Sequence, residues 1–150
     1  MEDGTARLVT GIDTLRLVWK RGPYPWREII DRESVLAPFL GVENVPVRRI
    51  RGGRMVRCPV TGLRFGYTDP PGEHASPFLW AEHRAAAMAS LNRRDRRLLP
   101  QADLARAETG AREVLAHYGV QIAPTAYCQA VRFDLTADLH TSALSADLLA

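Results

Sequence analysis

Four histidines, two cysteines and a few carboxylates are the side chains of this 150-residue chain that could make or break bonds. His74, His83, His117 and His140 include no pair at the two-residue or four-residue spacing by which one strand or one helix grips a metal, so a metal centre would have to be assembled across the fold. His83 follows Trp80 by three residues on a segment read as helix. His117 falls in the last turn of another helix, where a cation favours the helix dipole. Asp134 and Asp138 invite comparison with the paired carboxylates of acid/base and metal-dependent reactions. Asp134 belongs to a predicted strand, whereas Asp138 lies just past it, placed to cap the free N–H groups of a following helix. Asp13, on the first predicted strand, could join Asp134 if the first and last strands are neighbours. No serine occupies a Gly-x-Ser-x-Gly turn and no phosphate-cradling glycine fingerprint is present. Cys58 ends one predicted strand and Cys128 lies inside another; both read as small apolar side chains with no sequence-local base to activate them.

Arginine is the more informative residue. Residues 1 to 43 carry 6 basic and 7 acidic side chains, residues 44 to 97 carry 11 and 4, and residues 98 to 150 carry 3 and 6, so net charges of −1, +7 and −3 underlie the overall +3. Lys20 is the one lysine among the 20 cations. Arg48, Arg49, Arg51, Arg54, Arg57 and Arg64 fall on a predicted strand meander, and Arg93, Arg94, Arg96 and Arg97 crowd a junction between two predicted helices. Each guanidinium can grip a phosphate through two N–H groups, and several on one face create the field that nucleic-acid binding needs. Strands alternate faces, however, so the meander arginines need not all point one way.

The elements that would carry these residues read as follows. Arg7 to Lys20 alternates with period two, with Leu15, Leu17 and Trp19 inward. Pro25 opens a predicted helix through Trp26, Ile29, Ile30, Val35 and Leu36, closed by Pro38 and Gly41. Val45 to Arg51 and Arg54 to Cys58 are extended runs about a Gly52-Gly53 turn, and Pro59 to Gly62 leads into Leu63 to Thr68, a three-stranded meander. Asp69 to Pro77 is a proline-rich loop. Helical spacing covers Leu79 to Leu91 and Ala102 to Tyr118, with Gly119 as stop signal. Thr125 to Leu135 alternates again, and Ser142 to Ala150 reads as a further helix whose apolar period is cut at Ala150, as in a fragment of something longer. This order predicts one α+β domain, an antiparallel sheet with helices packed on one face. With 46% hydrophobic and 25% charged residues and only short apolar runs, the chain reads as a globular protein without a membrane span or secretory signal. Two cysteines point to a reducing cytoplasm, one bridge being possible if the fold brings them together.

Two segments resemble a known group. Gly11 to Trp19 is similar to the opening strand of plasmid and filamentous-phage replication initiators, which nick DNA for rolling-circle copying. Arg132 to Asp138, following the helix Leu104 to Tyr118, resembles their Arg-hydrophobic-Asp-Leu-x-x-Asp pattern. Many members use a His-hydrophobic-His metal strand and a tyrosine that becomes joined to DNA; the chain has no such histidine pair, and Tyr67, Tyr118 and Tyr127 match no such motif. The resemblance therefore implies an N-terminal DNA-engaging portion, or a degenerate relative, without identifiable nicking machinery.

The expected function is DNA binding through the ten arginines of the meander and the junction, with no cofactor. A divalent metal enters only in a competing reading as a DNA-nicking enzyme using Asp13 and Asp134. A third reading is a protein-interaction module presenting Trp26, Phe78 and Trp80.

Overall fold

The computed structural model describes residues 7–20, 32–73, 77–123 and 126–140, the last nine of these and the first three as backbone alone. The expected α+β architecture is what forms. Strands β1 (Arg7–Lys20), β2 (Ser34–Ala37), β3 (Val42–Pro46), β4 (Arg48–Ile50), β5 (Gly53–Arg57), β6 (Arg64–Thr68), β7 (Phe78–Arg84) and β8 (Tyr127–His140) accompany helices α1 (Ala85–Ser90) and α2 (Leu104–His117). Six strands make one antiparallel sheet in the order β4-β5-β6-β7-β1-β8, and β2 pairs with β3 separately.

Alternation along β1 turns Leu15, Leu17 and Trp19 onto the face that meets Phe65, Leu79 and Ala81 from the neighbouring strands. Ala107, Ala111, Val114 and Leu115 of α2, with Ala85, Ala86 and Met88 of α1, close over that face. The Phe65 and Tyr118 rings pack at a tilt of 54°, 4.9 Å between centroids, and each large side chain so buried contributes about 1.5–3 kcal/mol. Gly110 lets α2 approach α1: a Cβ there would overlap the Met88 carbonyl oxygen. Val35, Ala37, Val42 and Val45 of the small sheet complete the same core.

Three expected elements take another form. The segment read as helix over Leu79 to Leu91 is strand up to Arg84 and helix only from Ala85 to Ser90. Leu79 and Ala81 are buried on the helix side and Trp80 on the opposite side, and a strand buried on both faces loses the alternation that marks it. The end of the predicted Pro25 to Leu36 helix is strand β2, where Val35 and Ala37 face the core and Leu36 faces out; Trp26, Ile29 and Ile30 lie outside the described residues. So does the predicted helix from Ser142. The meander's expected first strand, Val45 to Arg51, is divided: Val45 and Pro46 belong to β3 and pair with β2, and only Arg48–Ile50 joins β5 and β6 as β4, with the hairpin turn at Arg51-Gly52, Gly52 having φ +73° and Gly53 already pairing with Ile50. Cys58 and Cys128 are both free thiols.

Candidate nucleic-acid interface

Directly opposed residues share a sheet face, so the register sorts the meander arginines. Arg57 stands opposite Arg64, Arg64 opposite Glu82 and Glu82 opposite Arg16, a row across four strands on the face away from α2. Arg49 stands opposite Arg54 and Arg54 opposite Tyr67, which is in register with Leu79 and Trp19 on the helix side. The six meander arginines therefore do not form one surface: the two-residue period that builds the strands divides Arg49 and Arg54 from Arg57 and Arg64. Arg51 is exposed at the hairpin turn between them.

Carboxylates temper part of the charge. Glu82, only 7% exposed, accepts from Arg64 at 2.7 Å and lies 3.7 Å from Arg16. The Arg16 guanidinium also covers the Trp80 ring at 4.6 Å. Trp80 is thus a buried residue beneath a cation and not part of an exposed aromatic patch, and Phe78 is half-buried, which removes two of the three anchors of the interaction-module reading; Trp26 lies outside the described residues. At the junction, Arg97 clamps Asp95 through Nε at 3.0 Å and Nη2 at 2.8 Å, and these hydrogen bonds hold the Asp95 carboxyl well below the usual carboxylate range. Arg94 and Arg96 are exposed there.

Arginines from separate segments meet in one place. A cleft of about 560 Å³ opens where β3, the start of β4, the end of β5 and the β5–β6 loop converge, lined by Arg48, Arg57 and Arg93 with Glu43 as the one carboxylate. Neither Arg48 nor Arg57 forms an ion pair among the described residues. Arg93 is aimed by its own anchor, donating from Nη1 to the Pro59 carbonyl oxygen at 2.9 Å. The loop that supplies this carbonyl is tied down within itself: Gly62 N–H donates to the Cys58 oxygen, Cys58 N–H to the Leu63 oxygen, and Leu63 N–H to the Thr61 hydroxyl. Gly62 takes a left-handed φ of +77°, and a Cβ there would stand 2.8 Å from His83 Nε2.

His83 is the residue of this site that sequence reasoning did not place. It lies on β7, not on a helix, and its buried Nε2 has no hydrogen-bond partner among the described residues. Burial first, then the charges of Arg57, Arg64 and Arg84, lowers its pKa, so the imidazole is neutral at pH 7 and the cationic character of the cleft comes from guanidinium alone. A strand reading of Phe78 to Arg84 would have set His83 in the inward period of Leu79 and Ala81.

The positions of the competing reading are neighbours along the backbone. β1 and β8 pair over their whole length, Ile12 facing Leu135 and Thr14 facing Asp134, so that Asp13 is the extra residue of a bulge beside Asp134, while Asp138 pairs with Val9 four residues further along β1's start. Asp138 is therefore part of β8, not a cap beyond it. Among the described residues no group of three His, Cys, Asp or Glu side chains is placed to hold a metal ion. Cys128 offers no nucleophile, since burial and then the Glu108 carboxylate push its thiol up to about 12. No helix among the described residues is long and apolar enough to cross a membrane.

No family model matches the chain, and comparison with curated proteins and with solved structures likewise finds no match.

Proposed function

We infer that the chain is a DNA-binding domain that contacts backbone phosphates through arginines, in keeping with its resemblance to the DNA-engaging region of a rolling-circle replication initiator. One observation carries this reading: Arg48 and Arg57 of the meander and Arg93 of the inter-helix junction, 45 positions apart at the extremes, line a single cleft. All three are exposed and line a cleft whose one carboxylate is Glu43, so their like charge stands open to an anion. The working set is smaller than the ten arginines of the sequence. Arg48, Arg57 and Arg93 form its centre, Arg94 and Arg96 extend it, and Arg49 and Arg54 lie on the far side of the sheet. The test is fluorescence anisotropy with a labelled duplex over a salt series. The observed affinity falls linearly with salt on logarithmic axes, and Arg93→Ala flattens the slope by about 1, one phosphate contact. Binding that ignores salt contradicts the reading.

A second reading is favoured by the pairing of β1 with β8, which sets the Asp13 bulge beside Asp134. On this reading the two carboxylates recruit a divalent ion for DNA nicking. Supercoiled plasmid incubated with the protein and magnesium or manganese would be nicked, and Asp134→Ala would abolish it; an intact plasmid under both metals removes this reading.

A further inference from the structure

We propose that the Arg48–Arg57–Arg93 cleft is a pocket for a nucleotide phosphomonoester, so that the domain grips a phosphorylated strand end more tightly than an internal phosphodiester. This deepens the DNA-binding reading and rests on it. The first argument is shape. A volume of about 560 Å³ falls within the range of small-ligand pockets, roughly 300–1,000 Å³, whereas a flat basic stripe is what suffices to track a backbone. The second is charge. Three guanidiniums and Glu43 leave the lining at a net +2 with His83 neutral, which matches a phosphomonoester near its dianionic state above about pH 6 and exceeds the single charge of a diester. The third is the number of acceptors. A terminal phosphate presents three free oxygens and an internal one presents two, and here guanidiniums from three different segments line one cleft, each able to make bidentate contacts. Val45, Pro46 and Pro59 supply an apolar wall beside the cations, suited to the sugar or base attached to that phosphate.

The same phosphomonoester could belong to a strand terminus or to a free nucleotide. Anisotropy is therefore measured with one single-stranded oligonucleotide carrying either a 5′-phosphate, a 3′-phosphate or hydroxyls at both ends, with a nucleoside 5′-monophosphate as competitor. The expected result is an affinity about tenfold higher for one phosphorylated end than for the hydroxyl form, the scale of one charge-assisted contact. Arg57→Ala abolishes this preference and Arg49→Ala, on the opposite face, preserves it. Arg93→Lys is measured as well, because Arg93 also anchors the Pro59 loop; it keeps the charge, loses the fork and weakens the preference. Displacement by the mononucleotide at micromolar concentration with no preference between strand ends assigns the pocket to free nucleotides and overturns the strand-end role. Equal, salt-sensitive affinity for all three oligonucleotides, without displacement by the mononucleotide, overturns the pocket and leaves DNA binding standing. Failure of every oligonucleotide and of the mononucleotide to bind overturns the pocket, and failure of the labelled duplex at low salt as well overturns both.

Discussion

Arg93 reaches across 34 residues of chain to donate to the Pro59 carbonyl oxygen at 2.9 Å. One neutral acceptor occupies one of five guanidinium donors, so the bond fixes where the charge sits without cancelling it. The segment after α1 is held from its other end by Leu99, whose N–H and carbonyl pair with Ile12 on β1 at 3.0 and 2.8 Å. Between these two anchors, residues 93 to 97 are presented beside the β5–β6 loop, and the charge of the junction is added to that of the meander.

Glu82 offsets charge elsewhere on the sheet. Its carboxylate serves Arg64 and Arg16 on the face away from α2. Glu82→Gln keeps the shape and removes the counter-charge, so it should lower stability by about 1–3 kcal/mol while tightening DNA binding at low salt. Urea unfolding and anisotropy on the same sample read the two opposite signs.

Protons test His83. Its folded pKa lies below the ordinary 6.5, so as pH falls through 6.5 the unfolded chain takes up a proton that the folded chain refuses. The stability supplied by this residue is complete above 6.5 and is lost as pH falls toward the folded pKa. A histidine NMR titration should place the His83 midpoint below 6.5, and His83→Gln should flatten the dependence of unfolding free energy on pH over that window.

Asp95 makes the junction arginines unequal. With Arg97 committed to its carboxylate, Arg97→Ala should weaken DNA binding less than Arg94→Ala or Arg96→Ala. Asp95→Asn should strengthen binding by releasing Arg97. Dissociation constants at a single low salt concentration check the ranking.

Gly110 tests the helix packing on which the sheet depends. Alanine favours a helix interior by up to about 1 kcal/mol over glycine, yet here its Cβ would overlap the Met88 carbonyl oxygen. The α1–α2 crossing must then open, and a net loss of roughly 1–3 kcal/mol is expected in thermal or urea unfolding.

The sequence made the alternating elements legible because one face of each is apolar: β1, the meander, the strand from Tyr127, and α2 with its stop at Gly119, where φ is +81°. It concealed β7, since Trp80 is buried on the face opposite Leu79 and Ala81 and the run imitates a helical stripe. That one misreading also hid His83 and Glu82, whose places in the site follow only from strand register. Arginine identity was visible throughout. Which arginines meet was not, because it depends on a hydrogen bond between Arg93 and Pro59 that joins segments unrelated in sequence, and on a two-residue period that sends Arg49 and Arg57 to opposite faces.

That last division gives the most direct measurement. Arg57→Glu and Arg49→Glu make the same charge change on opposite faces of the sheet, so their effects on total charge are identical. Anisotropy with labelled DNA at 50 mM salt should show Arg57→Glu weakening binding by at least about tenfold, beyond the modest loss from Arg49→Glu that long-range charge alone imposes. Equal losses from the two reversals, or none from Arg57→Glu, would contradict phosphate recognition by the cleft.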